Sequence, residues 1–186
     1  MDAELHNNGY DRSRSRKARL AVGHSIRSPW LNVQKLGQGS YGTVYHVVHT
    51  ETRLHAARKM ISKERLRLEQ QEPSVRKEIA MLRKVTARYE NGHPNILRLV
   101  EWFESRNFIH IVTELCSGGD LLSLLKSRGR VDEGLARRLM KQLAAGLQVL
   151  RSEDIVHRDL KPANLLLTHA DPDHPSCNLK IARLQR

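Results

Sequence analysis

One segment, bounded by the apolar runs Ile155–Val156 and Leu165–Leu167, carries the residue types best suited to chemistry. It places a carboxylate, an ammonium group and a carboxamide close together, at Asp159, Lys161 and Asn164. The apolar runs predict short buried strands, and the proline that follows the lysine predicts a loop between them. A carboxylate can accept a proton, an ammonium group can bind an anion, and an amide oxygen can ligate a metal. The segment is therefore a candidate active-site loop.

A second candidate site contains Gly37, Gly39 and Gly42. Leu31–Leu36 before these glycines alternates apolar and polar residues, and Thr43–His49 after them is rich in β-branched residues, so both predict strands. A glycine turn that opens a dinucleotide-binding unit runs into a helix instead. The pattern therefore predicts a hairpin whose glycine backbone can come close to phosphate oxygens.

Two charged residues farther along the chain, Lys59 and Glu78, are candidates for a partner of opposite charge. Leu54–Ile61 predicts a third strand and contains Lys59, which in isolation is an ordinary edge-strand lysine. Arg58 beside it is tolerated in a strand if its side chain faces solvent. Ser74–Val85 has apolar residues at helical spacing, and Glu78 lies next to that apolar stripe. Glu78 is either a solvated helix residue or the partner of a cation.

The rest of the chain predicts a mixture of strands and helices. Asp120 and Asp132 are good N-caps for two helices. The further predicted elements are strands His93–Val100 and Phe108–Leu115, with Glu101–Asn107 as their turn, helix Leu121–Lys126, a longer leucine-rich helix after Asp132, and strand Leu179–Ile181.

The chain is basic and low in cysteine. Its 186 residues include 32 Lys and Arg against 20 Asp and Glu, a net charge of +12, which favours anionic partners such as nucleotides, acidic peptides, nucleic acids or lipid headgroups. The dense tract Arg12–Arg19 predicts disorder, with a nuclear-localisation or nucleic-acid tether as the functional alternative. Two cysteines without metal-type spacing, and no apolar run of the ~18 residues that a spanning helix needs, predict an intracellular protein, cytoplasmic or nuclear.

In this order, the motifs resemble those of the eukaryotic protein kinase family. His157–Asn164 resembles the catalytic loop His-Arg-Asp-Leu-Lys-x-x-Asn, and Gly37–Val44 resembles Gly-x-Gly-x-x-Gly-x-Val. Ala56–Lys59 resembles Val-Ala-Ile-Lys, with arginine where the family usually has an apolar residue. The resemblance covers about Trp30 to Ala182. Lys161 indicates serine/threonine specificity, and the subgroup resembles calcium/calmodulin-dependent kinases, including calcium-dependent kinases, or Atg1-type kinases.

The resemblance implies an α+β, bilobal protein-kinase-like fold. Residues 29–115 are expected to form a complete small lobe, with a five-stranded antiparallel sheet and one helix. Residues 116–186 are expected to form the first part of the helical large lobe, with the hinge, two helices, the catalytic loop and two short strands. Residues 1–28 are expected to be a basic tail.

The resemblance also implies site residues for transfer of the ATP γ-phosphoryl group to a protein hydroxyl. Asp159 is expected to accept or orient the hydroxyl proton, Lys161 to meet the transferring group, and Asn164 to ligate Mg²⁺. The expected ATP-binding residues are Leu36, Gly37, Gly39, Gly42, Val44, Ala57, Lys59, its partner Glu78, the hinge residues Glu114 and Cys116, and Leu166.

The pattern departs from the family after Ala182. The family has Asp-Phe-Gly there, whose aspartate holds Mg²⁺, and this chain has Arg183. We therefore expect a kinase domain truncated before that motif and inactive in this form. The alternative is a nucleotide-binding pseudokinase or dominant-negative regulator, and a third possibility is a nucleic-acid tether that uses Arg12–Arg19. The residues identify no protein substrate.

Overall fold

The computed structural model describes residues 28–39, 42–90 and 92–184. The predictions for the tail and for Arg12–Arg19 lie outside the described residues, apart from Ser28. Within these ranges no helix is long and apolar enough to cross a membrane.

The strands are β1 Trp30–Gln38, β2 Gly42–His49, β3 His55–Ser62, β4 Leu99–Glu104, β5 Phe108–Glu114, β6 Leu165–Leu167 and β7 Leu179–Ile181. The five strands of the amino-terminal half form an antiparallel sheet in the order β1-β2-β3-β5-β4. The two short strands farther along pair as a separate antiparallel ribbon, β6-β7. The helices are α1 Lys63–Leu68, α2 Glu72–Arg88, α3 Leu121–Arg128 and α4 Glu133–Ser152, with a 3₁₀ turn at Pro162–Asn164.

The two predicted N-caps are confirmed. The Asp120 carboxylate accepts a hydrogen bond from the Ser123 N–H at 2.9 Å and begins α3. The Asp132 carboxylate accepts one from the Leu135 N–H at 3.0 Å and begins α4. Each carboxylate satisfies an N–H group that the first turn of a helix leaves without a partner.

The main hydrophobic core runs from α2 through β5 to α4 and the β6-β7 ribbon. Helix α2 contributes its stripe of Val75, Ile79, Leu82 and Val85, all buried. The ribbon lies close to α4 because α4 has a glycine at the crossing: a Cβ on Gly146 would fall 2.7 Å from the Ile181 side chain. This contact places the segment after β7 beside the candidate active-site loop.

Three predictions about the elements are wrong. Strand β4 begins at Leu99 rather than at residue 93, because Ile96 forms a bridge with Ile181 and Leu97 donates a hydrogen bond to the Ile181 carbonyl. The residues just before β4 therefore pair with β7 and not with the five-stranded sheet. The amino-terminal half also has a second, short helix, α1, which the Ser62 side chain caps.

The third wrong prediction is the strand at Ile155–Val156. Ile155 is buried, but its N–H donates to the Leu150 carbonyl at the end of α4, and Val156 is 61% exposed. The segment is an irregular stretch after α4, because its backbone forms a hydrogen bond with the end of that helix instead of pairing with a strand.

Arg58 does not face solvent, which was the condition that the sequence set for an arginine in this strand. It is 6% exposed and lies on the face of the sheet that carries the small cluster of Trp30, Val47, Ala56 and Val112. Its guanidinium donates to the Trp30 carbonyl at 3.3 Å and to the Asn32 side chain at 2.5 Å. A buried arginine is tolerated here because β1 supplies acceptors for both terminal nitrogens of its guanidinium, although its Nε–H has no partner among the described residues.

Candidate active site

Asp159 lies at the centre of the candidate loop and is held from two sides. The Lys161 ammonium group lies 2.8 Å from one carboxylate oxygen, and the Asn164 side-chain N–H donates to the other at 3.0 Å. The same amide donates to the Asp159 carbonyl at 2.6 Å. The hydrogen bonds from Lys161 and Asn164 lower the pKa of the Asp159 carboxyl, with a smaller contribution from the charge of Arg183. Asp159 is therefore a carboxylate near neutral pH.

A buried histidine ties this loop to the end of β7. The His157 Nδ1 accepts a hydrogen bond from the Asp159 N–H, so the proton is on Nε2, which donates to the Ala182 carbonyl at 2.7 Å. In return the Ala182 N–H donates to the Asn164 carbonyl at 2.9 Å. These bonds determine where the residue after Ala182 leaves the ribbon.

The sheet contributes a second charged pair. The Lys59 ammonium group on β3 lies 3.3 Å from the Glu78 carboxylate on α2, and the side chains are 20% and 13% exposed. Lys59 is registered opposite Val44 on β2 and lies two residues from Ala57. Directly opposite and alternate residues share one face of a sheet. Val44, Ala57 and Lys59 therefore line the same face as the pair.

The glycine turn closes the β1-β2 hairpin, as predicted. The Gly39 N–H donates to the Gly42 carbonyl at 2.8 Å, and Gly37 is registered opposite Val44. A Cβ on Gly42 would lie 1.9 Å from the Met60 carbonyl oxygen, so only glycine fits where β2 meets β3. Leu36, just before the turn, is 48% exposed. Residues 40 and 41 of the turn lie outside the described part of the chain.

The predicted hinge residues lie where β5 meets the β6-β7 ribbon. Glu114 ends β5, and its carboxylate accepts a hydrogen bond from the Arg98 N–H at 2.7 Å. Burial, reinforced by the Glu114 charge, raises the pKa of the Cys116 thiol to about 12. Leu166 on β6 forms a bridge with Asp120. The structure thus brings the expected hinge residues and Leu166 into one region.

Sequence reasoning missed Lys180, which reaches across this region. Its ammonium group lies 2.8 Å from the Glu114 carboxylate and 3.2 Å from the His93 carbonyl oxygen. The signal was available in the sequence, since a lysine in the middle of the short apolar strand Leu179–Ile181 needs a buried partner. Its partner is distant in sequence, and no local pattern identifies it.

Arg183 occupies the position directly after Ala182. Its backbone has a positive φ of 58°, and its guanidinium lies 3.9 Å from the Asp159 carboxylate. Mg²⁺ in proteins binds to oxygen ligands that include one or two carboxylates. Among the described residues no group of three or more His, Cys, Asp and Glu could hold a metal ion. A cation beside Asn164 and Asp159 does not fit the Mg²⁺ site that the resemblance implies.

Comparisons with known proteins identify the family of this chain. The family "Protein kinase domain" matches residues 30–182. Serine/threonine-protein kinase ATG1c of Arabidopsis thaliana is 42% identical over 153 residues, which are 82% of this chain and 20% of the relative. Calcium/calmodulin-dependent protein kinase type I of Schizosaccharomyces pombe is 41% identical over 138 residues, 74% of this chain and 39% of the relative.

A solved structure is also similar. The crystal structure of Rad53 1-466 in complex with AMP-PNP has a TM-score of 0.74 and 30% sequence identity, over 84% of this chain and 39% of that one. The chain therefore belongs to the protein kinase domain family. Within the family it is similar to serine/threonine kinases of the calcium/calmodulin-dependent-like group. It spans about a fifth of the length of the ATG1 relatives that it matches.

Proposed function

We propose that this chain is part of a serine/threonine protein kinase that transfers the ATP γ-phosphoryl group to a hydroxyl of a protein substrate. The observation that carries the proposal is the Lys59–Glu78 ion pair, 3.3 Å across β3 and α2. A lysine held in this way presents a fixed positive charge to an anionic ligand on the face that Val44 and Ala57 share.

ATP is proposed to lie between the five-stranded sheet and the β6-β7 ribbon. Lys59 binds the α- and β-phosphates, and the glycine turn lets the backbone come close to them. Adenine packs between the apolar side chains and meets the backbone of the hinge. The residues proposed for these contacts are Leu36, Gly37, Gly39, Gly42, Val44, Ala57, Glu114, Cys116 and Leu166.

The proposed transfer uses the residues around Asp159. The substrate hydroxyl oxygen attacks the γ-phosphorus, its proton passes toward the Asp159 carboxylate, and the bond from phosphorus to the ADP oxygen breaks. Lys161 lies 2.8 Å from that carboxylate and neutralises charge on the transferring group. Asn164 holds Asp159 in orientation. Mg²⁺ ligation by Asn164 remains a prediction from the family.

A second candidate function is nucleotide binding without transfer, as in a pseudokinase or a dominant-negative regulator. The observation that favours it is Arg183, whose guanidinium lies 3.9 Å from the Asp159 carboxylate. This cation competes with a substrate hydroxyl for the proposed base and lowers its basicity.

One assay separates the two candidates. Purified chain is incubated with radiolabelled ATP and a mixture of serine/threonine peptides, with Asp159→Asn as the matched variant. Transfer that the variant loses supports the kinase. ATP binding by calorimetry without any transfer supports the second candidate, and absence of both transfer and binding contradicts the proposed nucleotide site.

The basic tract Arg12–Arg19 is proposed to hold an anionic partner in the cytoplasm or the nucleus. Deleting the tract should abolish salt-sensitive RNA binding. Unchanged RNA binding after the deletion would contradict this role.

A further inference from the structure

The residues before and after Arg183 hold its backbone at the candidate site. Before it, Ala182 donates to the Asn164 carbonyl and accepts from the His157 ring. After it, the Leu184 side chain is completely buried. The chain therefore cannot swing the Cα of Arg183 away from Asp159 without breaking these contacts. The guanidinium belongs to the site.

The backbone of Arg183 adopts an uncommon conformation to reach this position. A φ of 58° in a residue other than glycine is costly and persists only where surrounding contacts enforce it.

The Arg183 guanidinium has capacity left for a ligand. Its single ion pair in the described part of the chain, with Asp159, is 3.9 Å long, whereas Lys161 approaches the same carboxylate to 2.8 Å. No N–H group of Arg183 donates a hydrogen bond to another described residue, and the side chain is 30% exposed. A guanidinium carries five N–H donors and binds two phosphate oxygens side by side.

The charges nearby favour an anion over a cation. The carboxylates of the site are already paired with lysines: Asp159 with Lys161, Glu78 with Lys59 and Glu114 with Lys180. Arg183 adds a further positive charge beside Asp159. A divalent cation is repelled at this position, whereas a polyphosphate is attracted to it.

We propose that this site binds a nucleoside triphosphate as the metal-free polyphosphate, with the Arg183 guanidinium contacting the phosphates where a divalent cation would otherwise lie. This inference rests on the proposed nucleotide site. It differs from that site as the kinase family implies it, because here the nucleotide binds without a metal ion.

The test is calorimetric titration of the full chain with AMP-PNP, in EDTA and in excess Mg²⁺. Arg183→Asn and Arg183→Asp both keep a residue type that tolerates a positive φ. We expect similar Kd values for the unaltered chain in the two buffers. Loss of the charged contact in Arg183→Asn should raise the Kd in EDTA about tenfold. Arg183→Asp should bind measurably only with Mg²⁺.

Arg106→Ala is the matched control, because Arg106 is an exposed arginine in the β4-β5 turn. It should leave both Kd values unchanged. Thermal melting of each variant checks that it is folded. Binding that requires Mg²⁺ in the unaltered chain, or an unchanged metal-free Kd in Arg183→Asn, would overturn the inference and leave the nucleotide site in place. No AMP-PNP binding in either buffer would overturn both.

Discussion

The Lys180 ammonium group lies 2.8 Å from the Glu114 carboxylate and so joins β7 to the end of β5. The two side chains are 7% and 18% exposed, and each has a further backbone partner, the His93 carbonyl for Lys180 and the Arg98 N–H for Glu114. Both charges are thus removed from water and compensated. The pair connects the five-stranded sheet to the ribbon that directly precedes Ala182 and Arg183.

Removing one partner of this pair should destabilise the fold. Lys180→Ala leaves the Glu114 carboxylate largely buried without its cation, which we expect to cost about 3 kcal/mol of unfolding free energy. Urea denaturation followed by circular dichroism measures this loss. The double variant Lys180→Met with Glu114→Gln should recover much of it, because neither buried charge remains.

Lys141→Ala is the control for that series. Lys141 is exposed on α4, so its removal should change the unfolding free energy by less than about 0.5 kcal/mol. An equally small effect of Lys180→Ala would contradict a structural role for the Lys180–Glu114 pair.

The Lys59–Glu78 pair should matter for nucleotide binding more than for stability. Lys59→Met removes the positive charge from the proposed phosphate side while keeping an unbranched side chain of similar length. We expect the Kd for AMP-PNP to rise about tenfold. Calorimetry measures it, and Lys77→Met, an exposed lysine on α2, is the matched control. Equal affinities for the two variants would refute the proposed contact.

Two glycines of the same hairpin should respond differently to alanine. A Cβ on Gly42 would lie 1.9 Å from the Met60 carbonyl oxygen, whereas nothing lies within 4 Å of a Cβ on Gly37. Gly42→Ala should push β2 from β3 and lower the unfolding free energy by about 2 kcal/mol. Gly37→Ala should change it by less than about 0.5 kcal/mol. Denaturant titration of both variants tests the difference, and a reversed order would be inconsistent with the described strand contact.

His110 should make stability depend on pH on the acid side of neutrality. Burial, followed by the charges of Arg58 and Lys63, lowers its pKa from 6.5 to about 4. Between these values the unfolded chain binds a proton that the folded chain does not, so stability falls as pH decreases from 6.5 toward 4. The loss should be on the order of 2 kcal/mol.

His110→Phe should flatten that part of the pH profile. The ring of His110 stacks on Phe103 with centroids 4.5 Å apart, and phenylalanine keeps that contact without a titratable group. Unfolding free energies of both proteins at pH 4.5 and pH 7 give the comparison. The same pH dependence with and without His110 would rule out this residue as its source.

Local features of the sequence predicted most of the elements. The glycine hairpin, the helix that carries Glu78 and the caps at Asp120 and Asp132 depend on neighbours within a few residues, so periodicity and residue type suffice to find them. The catalytic-loop motif identified the family for the same reason, because its residues are contiguous.

Long-range contacts decided the rest. Arg58 is buried because β1 supplies hydrogen-bond acceptors for its guanidinium. The residues just before Leu99 lie beside β7 because Ile96 pairs with Ile181. Neither contact leaves a local trace in the sequence. Sequence alone therefore determined the family and most of the elements. Tertiary structure alone determined that Arg183, held after Ala182 by the His157 ring, directs its guanidinium to Asp159.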